Sequence, residues 1–458
     1  MGLEILTSNK GKQKLILNGY SYHLEKSTEK VCYWCCARRK EKCCKSRLHT
    51  ILVNKEHLLK KEPSIHSHEP AANAKHVMGS NCLLKLNAKS SIEKPPSQII
   101  RDAVSSTIQD CRVYLPTKAA QKLKIKRVRS KEVAEPQTLE DINIPENLRF
   151  LEGEIFVLDE KEFGTTKIIL LGTRSSLQLL AEAQCWLVDG TFYVVPSMMS
   201  QLFSIHGFIQ GQIVPLVFCL MSRKTKEAYA EVFFSLLKLA CDWNIDLKPL
   251  KIISDFEKAI INTAKEFFPY AECKGCQFHF GQIIWRRIQK DGLATKYGNS
   301  EVFSLQIRMI RALAFVPGAE IPEYFEVLRR NFADKDAKKI ARWFQTNYIN
   351  GRYDTEFWSA CDMLEENFPR TQNSVEAWHR RLKVVVGQKR SGLYCLIENL
   401  GKELIVARTE IEKVKAGNII PRNKKNCLKN QNIKTVLKNR ENMDKIDYLK
   451  SIAINLAI

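Results

Sequence analysis

The sequence of 458 residues contains no apolar run near the roughly 18 residues that a membrane-spanning helix needs. Its N-terminus, MGLEILTSNKGK, has no basic segment followed by an apolar one, so we expect no secretory signal peptide. No internal repeat with a period of roughly 20–50 residues is present. These absences exclude a solenoid and argue against a membrane-bound or secreted protein.

Acidic residues are scarce relative to basic ones. The chain has 72 Lys and Arg against 50 Asp and Glu, a net charge of +22. Residues 1–70 hold 14 Lys and Arg against 7 acids, and residues 401–458 hold 13 against 6. Such a surplus predicts a polyanionic partner, and nucleic acid is favoured over a membrane because no amphipathic basic helix or lipidation signal is present. The two ends are therefore the predicted nucleic-acid arms.

Fifteen cysteines are many for a chain without a secretory signal, and five of them fall within Cys32–Cys44. A secreted disulfide scaffold would be shorter and its cysteines more evenly spread, so we expect a reducing compartment and at least one metal site. Zinc takes four thiolate or imidazole ligands, and SIHSHE supplies His66 and His68. The spacing alone leaves open which cysteines pair with them, since Cys32 with Cys35 is a second candidate pair.

The N-terminal segment resembles a FLYWCH-type zinc finger over about Leu6–His68. The resemblance rests on Trp34 two residues before Cys36, on the CKSRL run that begins at Cys44, and on the H-x-H pair. Upstream, the residues that fit it are Gly11, Leu17, Gly19, Tyr20 and Tyr22. It implies a strand-rich finger that binds DNA or protein, with Zn²⁺ held by Cys36, Cys44, His66 and His68. The many basic residues around these ligands favour contact with DNA phosphates.

We expect four regions along the chain. Residues 1–70 form the finger, 71–145 a basic linker, 146–400 the main domain and 401–458 a basic tail. The linker assignment rests on residues 69–100, which contain Pro70, Pro95 and Pro96 and show little periodicity, and on the basic run KLKIKRVRS, which indicates nuclear import or phosphate contact. A nuclear location follows as an expectation.

The main domain shows an ordered series of strands and helices from about residue 150. EIFVLDE and TKIILLGT indicate strands, QCWLVDGTF indicates a buried strand, and SQLFSIHGFI and QIVPLVFCLMS extend it as a meander. Helices are predicted over Thr225–Trp243, Asp255–Phe267 and Gln277–Gln289, with KPLKIISD and AECKGC as strands between them. This order predicts an α/β fold with a mixed five-stranded sheet, which resembles the ribonuclease H-like architecture. A helical insertion over about residues 291–370 and a helix over Asn373–Val386 complete it. Beyond about residue 415 we expect a short helix with a loose tail.

Three acids lie where a metal-dependent phosphodiester cleavage site would need them. Asp189 is embedded in an apolar strand, which is costly unless the charge is paired or binds a cation. Asp255 ends a buried strand, at the edge where open α/β sheets place ligand sites. Glu376 lies on the helix that follows the insertion. Carboxylates of this kind can hold two divalent ions, but the pattern alone leaves open whether each acid is structural.

The stretch Trp186–Ile288 resembles the transposase domain of Mutator-like elements. The motifs are DGTF at Asp189–Phe192, PLVF at Pro215–Phe218, ISDFEKAI at Ile253–Ile260 and a P-x-A-x4-C-x2-H run at Pro269–His279. Downstream, TQNSVEAWHRRL resembles the family segment that bears the third acid. The resemblance implies a DDE transposase that binds Mg²⁺ or Mn²⁺ through Asp189, Asp255 and Glu376. Such an enzyme cleaves DNA at terminal inverted repeats, joins the ends to target DNA, and works as a homo-oligomer.

Two questions remain open on the sequence alone. Cys276 and His279 match a C-x-x-H motif of the family, and they could be half a zinc site, DNA-positioning residues or plain packing. The chain could also be a domesticated DNA-binding or transcriptional regulator that keeps the fold without the chemistry, or a nuclease outside transposition. All three acids are present, which argues against domestication.

Overall fold

The computed structural model describes residues 3–7, 13–28, 30–53, 56–71, 73–91, 94–132, 135–386, 392–418 and 424–456. These residues divide into two compact units, Met1–Glu135 and Pro136–Ile458. No described helix combines the length and the apolar character needed to cross a lipid bilayer. The two units are described separately.

The N-terminal unit begins with an antiparallel sheet. Its described strands are β1 Glu4–Thr7, β2 Gln13–Leu17, β3 Tyr20–Ser27, β4 Val31–Cys36, β5 Arg47–Val53 and β6 Glu56–Lys61, each paired with the next. Asn18 and Gly19 both have positive φ and form the tight β2–β3 turn that suits the twist of a hairpin. Burial alternates along β4, so Trp34 and Cys36 face the core while Cys35 faces outward.

Three helices follow where we expected a basic linker, so that expectation is wrong. They are α1 Ala74–Ser90, α2 Pro96–Ser105 and α3 Lys118–Glu132. Leu84, Ile99, Ile100 and Ile125 are buried together at their contact. The few apolar residues are widely spaced within polar sequence, and their joint burial depends on contacts between helices that no local pattern reveals. The basic residues of KLKIKRVRS thus lie on a helix whose Ile125 is inside.

The second unit is built on a mixed sheet. Its described strands form a small pair, β7 Phe150–Leu151 with β8 Glu154–Ile155, and a large sheet of β9 Val157–Phe163, β10 Thr166–Leu171, β11 Cys185–Thr191, β12 Gln201–Ile209, β13 Gln212–Met221, β14 Lys251–Ser254 and β15 Glu272–Gly275. The order in the large sheet is β15-β14-β11-β12-β13-β10-β9. β11 pairs antiparallel with β12 and parallel with β14. The carboxyl ends of β11 and β14 therefore meet at one edge.

The predicted count of five strands needs correction, because the described sheet has seven. The five predicted strands occupy the order β13-β12-β11-β14-β15, and β10 adds to the free edge of β13. An unpaired edge strand leaves a row of backbone donors and acceptors open, and the β9–β10 hairpin satisfies them. Both strands were predicted locally, but their pairing partner was not.

Helices surround the large sheet and extend beyond it. Their bounds are α4 Glu146–Arg149, α5 Arg174–Glu182, α6 Lys226–Asp242, α7 Lys258–Phe267, α8 Gln277–Lys290, α9 Ala294–Asn299, α10 Glu301–Ala312, α11 Ile321–Arg330, α12 Lys335–Phe344, α13 Thr355–Trp358, α14 Cys361–Glu365, α15 Asn373–Val386, α16 Leu393–Lys415, α17 Lys424–Lys438 and α18 Lys445–Ile454. Short 3₁₀ turns cover Leu313–Phe315, Gly318–Glu320 and Arg440–Asn442 of this unit and Gln109–Tyr114 of the N-terminal unit, and a π-helical turn covers Gln345–Ile349. The predicted helical character of residues 291–370 agrees with α9–α14.

The C-terminal segment is packed, contrary to the expected loose tail. α18 lies against α10 and α11, and it buries Tyr448, Leu449 and Ile452 completely. Ile433 of α17 is also buried. Lysines and asparagines surround Ile433 on α17, and Asp447, Lys450 and Ser451 interrupt the apolar residues of α18. The segment as a whole is therefore polar although one face of each helix is not.

Replacing the fully buried Leu449 with Ala should lower the free energy of unfolding by about 2–4 kcal/mol, because it leaves a cavity in the α10–α18 contact. Ile454→Ala, on the same helix but largely exposed, should change it by less than about 0.5 kcal/mol. Urea denaturation followed by circular dichroism measures both. Equal effects of the two substitutions would contradict the packing of α18.

Candidate functional site

Four potential zinc ligands meet in the N-terminal unit. Cys36 ends β4, Cys44 follows a short loop, and His66 and His68 come from the segment after β6. One ligand atom from each lies within 4.8 Å of the others. The Cys36 Sγ is 3.2 Å from His68 Nε2, and the Cys44 Sγ is 3.3 Å from His66 Nδ1. Cys43 is exposed and lies outside this group in the described chain.

In each imidazole one nitrogen has an outer hydrogen-bond partner, and the other nitrogen faces a thiol. The His66 Nε2 lies 2.7 Å from the Tyr22 hydroxyl and 3.1 Å from the Ser46 hydroxyl, which can accept its proton. The His68 Nδ1 donates to the Glu69 carbonyl at 2.9 Å. Two thiols and two imidazoles with such outer hydrogen bonds fit the tetrahedral donor set that zinc prefers.

The two thiols differ in acidity. Burial would raise the pKa of Cys44, but N–H groups of Ser67 and Ser46 and the Cys36 thiol outweigh it and lower the pKa to about 7. Burial raises the pKa of Cys36. A thiol with a pKa near neutrality deprotonates easily, and deprotonation is what zinc ligation requires.

A second group of potential ligands lies in the other unit. Asp189 on β11 is only 4% exposed, and Glu376 occupies the first turn of α15. His279, near the start of α8, completes the group, whose ligand atoms lie within 4.8 Å of one another. The His279 Nε2 is 3.3 Å from Glu376 Oε1. Two predicted acids and one predicted accessory residue are thus brought together.

Asp255 is close to this group but not part of it. It follows β14, the parallel neighbour of β11, and its Oδ1 accepts a hydrogen bond from the Glu257 backbone N–H at 3.0 Å. The Glu257 carboxylate in turn accepts a hydrogen bond from the Tyr229 hydroxyl at 3.2 Å. Asp255 therefore lies at the adjacent strand end, within electrostatic reach of Asp189.

The charges of the group are strongly coupled. Burial raises the pKa of Asp189 to about 7; His279 opposes the shift, and Glu376 and Asp255 add to it. Burial disfavours the imidazolium of His279, but Cys276, Glu376 and Asp189 outweigh it and raise its pKa to about 11. The hydrogen bond from His279 lowers the pKa of Glu376. A positive charge at this position is therefore favourable.

Gln372 connects the elements that carry the acids. Its side-chain amide donates to the Val188 carbonyl at 2.8 Å and to the Ile253 carbonyl at 3.1 Å. Its backbone carbonyl accepts a hydrogen bond from the Glu376 backbone N–H at 2.8 Å. The fully buried side chain of Gln372 thus joins the ends of β11 and β14, and its backbone leads directly into α15.

The cysteine and the histidine of the C-x-x-H motif make different contacts. The Cys276 Sγ is buried and accepts a hydrogen bond from the Gln372 backbone N–H at 3.2 Å, while His279 faces Glu376. Among the described residues, Cys276 joins no group of three or more potential ligands. Both residues contact the segment that carries the third acid, which favours a positioning role over half a zinc site.

Sequence reasoning missed Gln372, Ser204 and His206, whereas the position of His379 on the Glu376 helix allowed a contact with the site. Ser204 lies opposite Asp189 on β12, and its hydroxyl is 3.0 Å from His206 Nε2. The His379 Nδ1 is 3.5 Å from Asp189 Oδ2, and burial lowers the pKa of His379 to about 4, which keeps it neutral. The two-residue spacing of Ser204 and His206 in an apolar strand is the signal that could have revealed them.

The glycine of the DGTF motif has a steric reason. A Cβ at Gly190 would lie 2.6 Å from the Gln201 Oε1. The Gln201 side-chain amide donates to the Tyr229 hydroxyl at 2.7 Å, and that hydroxyl donates to Glu257. The bare backbone at Gly190 therefore leaves room for a hydrogen-bond chain that runs towards Asp255.

Comparison with known families agrees with this geometry. Residues 185–282 match the MULE transposase domain, and residues 5–68 match the FLYWCH zinc finger domain. Both resemblances are confirmed. The MULE match includes Asp189, Asp255 and the C-x-x-H motif and ends before Glu376, while the FLYWCH match includes all four potential zinc ligands. No curated protein matches the chain.

We expect zinc in the FLYWCH finger. Cys36→Ser and His66→Ala should each lower the zinc content of the purified protein by one equivalent, because three ligands hold the ion far more weakly than four. The exposed Cys43→Ser is the matched control and should keep its zinc. Mass spectrometry of the bound metal measures all three. Loss of zinc in Cys43→Ser but not in Cys36→Ser would assign a different ligand set.

Gln372→Leu should lower the free energy of unfolding by about 1–3 kcal/mol, since it leaves the Val188 and Ile253 carbonyls buried without a donor. Gln289→Leu, at an exposed position of α8, is the control and should change it by less than about 0.5 kcal/mol. Chemical denaturation compares the two. A neutral effect of Gln372→Leu would contradict the bridging role.

Proposed function

We propose that this protein is a DNA transposase of the Mutator-like type, which cleaves DNA at element ends and joins them to target DNA with the help of divalent cations. One observation carries the proposal: Asp189 and Glu376 lie close together, and Asp255 lies at the end of the adjacent strand. Asp189 and Asp255 belong to the stretch that matches the MULE transposase domain. The family match supports a transposase-type function, and the geometry supports the three acids as its catalytic residues.

The sheet order supports a ribonuclease H-like arrangement within this proposal. Strands β13, β12 and β11 form an antiparallel meander, and β14 and β15 add in parallel beside β11. Asp189 and Asp255 occupy β11 and the end of β14, the positions expected for the first two acids. Glu376 reaches them from a helix after the insertion.

The donor chemistry fits Mg²⁺ or Mn²⁺. Carboxylate oxygens are the ligands these hard cations prefer, and we assign Asp189, Asp255 and Glu376 to them. Bound cations would stabilise negative charge on the attacking and leaving oxygens of the phosphodiester. The carboxylates of Asp189 and Glu376 lie within 4.8 Å of each other, and His279 compensates their negative charge. A bound cation would take over that compensation.

The remaining residues have positioning tasks in this proposal. Gln372 fixes the two strand ends and the start of α15, so the acids keep their spacing. His279 holds the Glu376 carboxylate, and neutral His379 lies beside Asp189 without adding charge. The buried surroundings of Asp189 limit water around its carboxylate.

DNA recognition is proposed for the finger and the basic segments. Its support is the FLYWCH match, the net charge of +22 and exposed basic side chains beside the ligands, such as Arg38, Arg39 and Lys40. Binding of terminal inverted repeats, homo-oligomer formation and a nuclear location are parts of the same proposal that rest on the family resemblance. The alternative, a domesticated DNA-binding regulator, has no specific observation in its favour.

The proposal predicts metal-dependent nicking of supercoiled plasmid in Mn²⁺. Asp189→Asn, Asp255→Asn and Glu376→Gln should each reduce nicking by at least about 100-fold, because each removes a charged ligand of the cations. Asp246→Asn, at an exposed position away from the sheet edge, is the control and should nick like the wild type. Gel separation of supercoiled, nicked and linear forms gives the rates.

Two other outcomes would change the assignment. Folded wild-type protein that shifts DNA in a gel but does not nick it would favour the domesticated regulator. Nicking that persists in all three variants would show that the acids are wrongly assigned or that a contaminating nuclease is present.

A further inference from the structure

Two large aromatic side chains, three and four residues after Asp189, are exposed to solvent. Phe192 is 48% exposed and Tyr193 is 70% exposed, whereas the next two residues, Val194 and Val195, are buried. The loop therefore buries its small aliphatic side chains and leaves its two large rings in water. Exposed apolar surface of this size next to a candidate active site indicates a binding surface.

Each ring lies beneath a lysine from a different element. The Lys224 Nζ is 4.3 Å from the centre of the Phe192 ring, and the Lys383 Nζ is 4.6 Å from the centre of the Tyr193 ring. Lys224 precedes α6, and Lys383 lies on α15. Three segments that are distant in sequence thus converge to place a positive charge on each ring.

Each lysine is connected to one of the acids, one through an ion pair and the other through a shared helix. The Lys224 Nζ is 3.7 Å from Glu257, whose backbone N–H donates to Asp255. Lys383 lies seven residues after Glu376 on α15, which is two turns further along the same helix face. The rings and lysines are therefore connected to the elements that carry the acids.

We propose that Phe192, Tyr193, Lys224 and Lys383 form an aromatic platform that takes an unpaired nucleotide of the DNA substrate beside the cleavage site. The proposal rests on the proposed function. A ring with a lysine over one face can stack a base on its other face, and the ammonium group suits the adjoining phosphate, which is the combination used to bind single-stranded nucleic acid. A base inside a duplex has both faces covered by its neighbours, so the platform selects unpaired or frayed ends.

The test compares forked DNA with blunt DNA of the same duplex sequence. The fork carries 2-aminopurine in its unpaired strand, and Ca²⁺ replaces Mg²⁺ so that cleavage does not occur. We expect the wild type to prefer the fork and to quench 2-aminopurine fluorescence by stacking. The double variant Phe192→Ala and Tyr193→Ala should lose the quenching and about tenfold of the preference, while blunt DNA binding stays unchanged.

The chain offers a matched control. Phe234 is 51% exposed and lies beneath Lys161 at 4.9 Å, but Lys161 is on β9, at the end of the sheet away from β14. Phe234→Ala should keep the wild-type preference and quenching. Phe192→Tyr with Tyr193→Phe retains both ring faces and should restore them, which separates stacking from any effect on folding.

Equal wild-type affinity for forked and blunt DNA would overturn the aromatic platform, and so would a double variant that still prefers the fork and quenches the probe. These binding results do not depend on catalysis. Failure of the proposed function would instead be seen as absence of metal-dependent nicking in the plasmid assay. A protein that nicks plasmid but lacks fork preference would keep the function and lose the platform.

Discussion

The candidate active site depends on one buried amide. The parallel ladder between β11 and β14 has its last paired positions at Leu187 and Ile253, and beyond them the two strands need a different donor. Gln372 supplies it from the segment before α15 through its bonds to Val188 and Ile253. A buried carbonyl without a donor costs free energy, so this bridge fixes the positions of the two strand ends next to the start of α15.

The same region solves an electrostatic problem. Asp189 is placed in a strand that is otherwise apolar, where an uncompensated charge is costly, and its pKa near 7 expresses that cost. Compensation comes from His279, while His379 stays neutral. A site that needs a positive charge for its acids is also a site that attracts a cation, and so the burial of Asp189 supports the proposed function more than any exposed carboxylate could.

Local pattern was enough for the elements that carry the chemistry. The predicted helix over Asn373–Val386 has these same bounds in the structure, and the apolar runs before Asp189 and Asp255 are strands as expected. Failures occurred where burial depends on distant partners. Ile125 lies between lysines on α3, and Leu449 lies on a short helix of the basic C-terminal segment. Contacts between helices make both of them core. Gln372 escaped notice for the same reason, since its partners are more than 100 residues away.

Asp255 lies outside the group that Asp189, His279 and Glu376 form. With Asp189 and Glu376 already within 4.8 Å of His279, a further carboxylate at the same spacing would add repulsion that one imidazolium cannot offset. Asp255, at the end of the neighbouring strand β14, instead accepts a hydrogen bond from the Glu257 backbone N–H. Divalent charge would reverse the balance, because it attracts all three carboxylates and leaves His279 needed only to hold Glu376. In the proposed function, the separation of Asp255 is therefore consistent with a three-acid site whose compensation without a cation comes from one histidine.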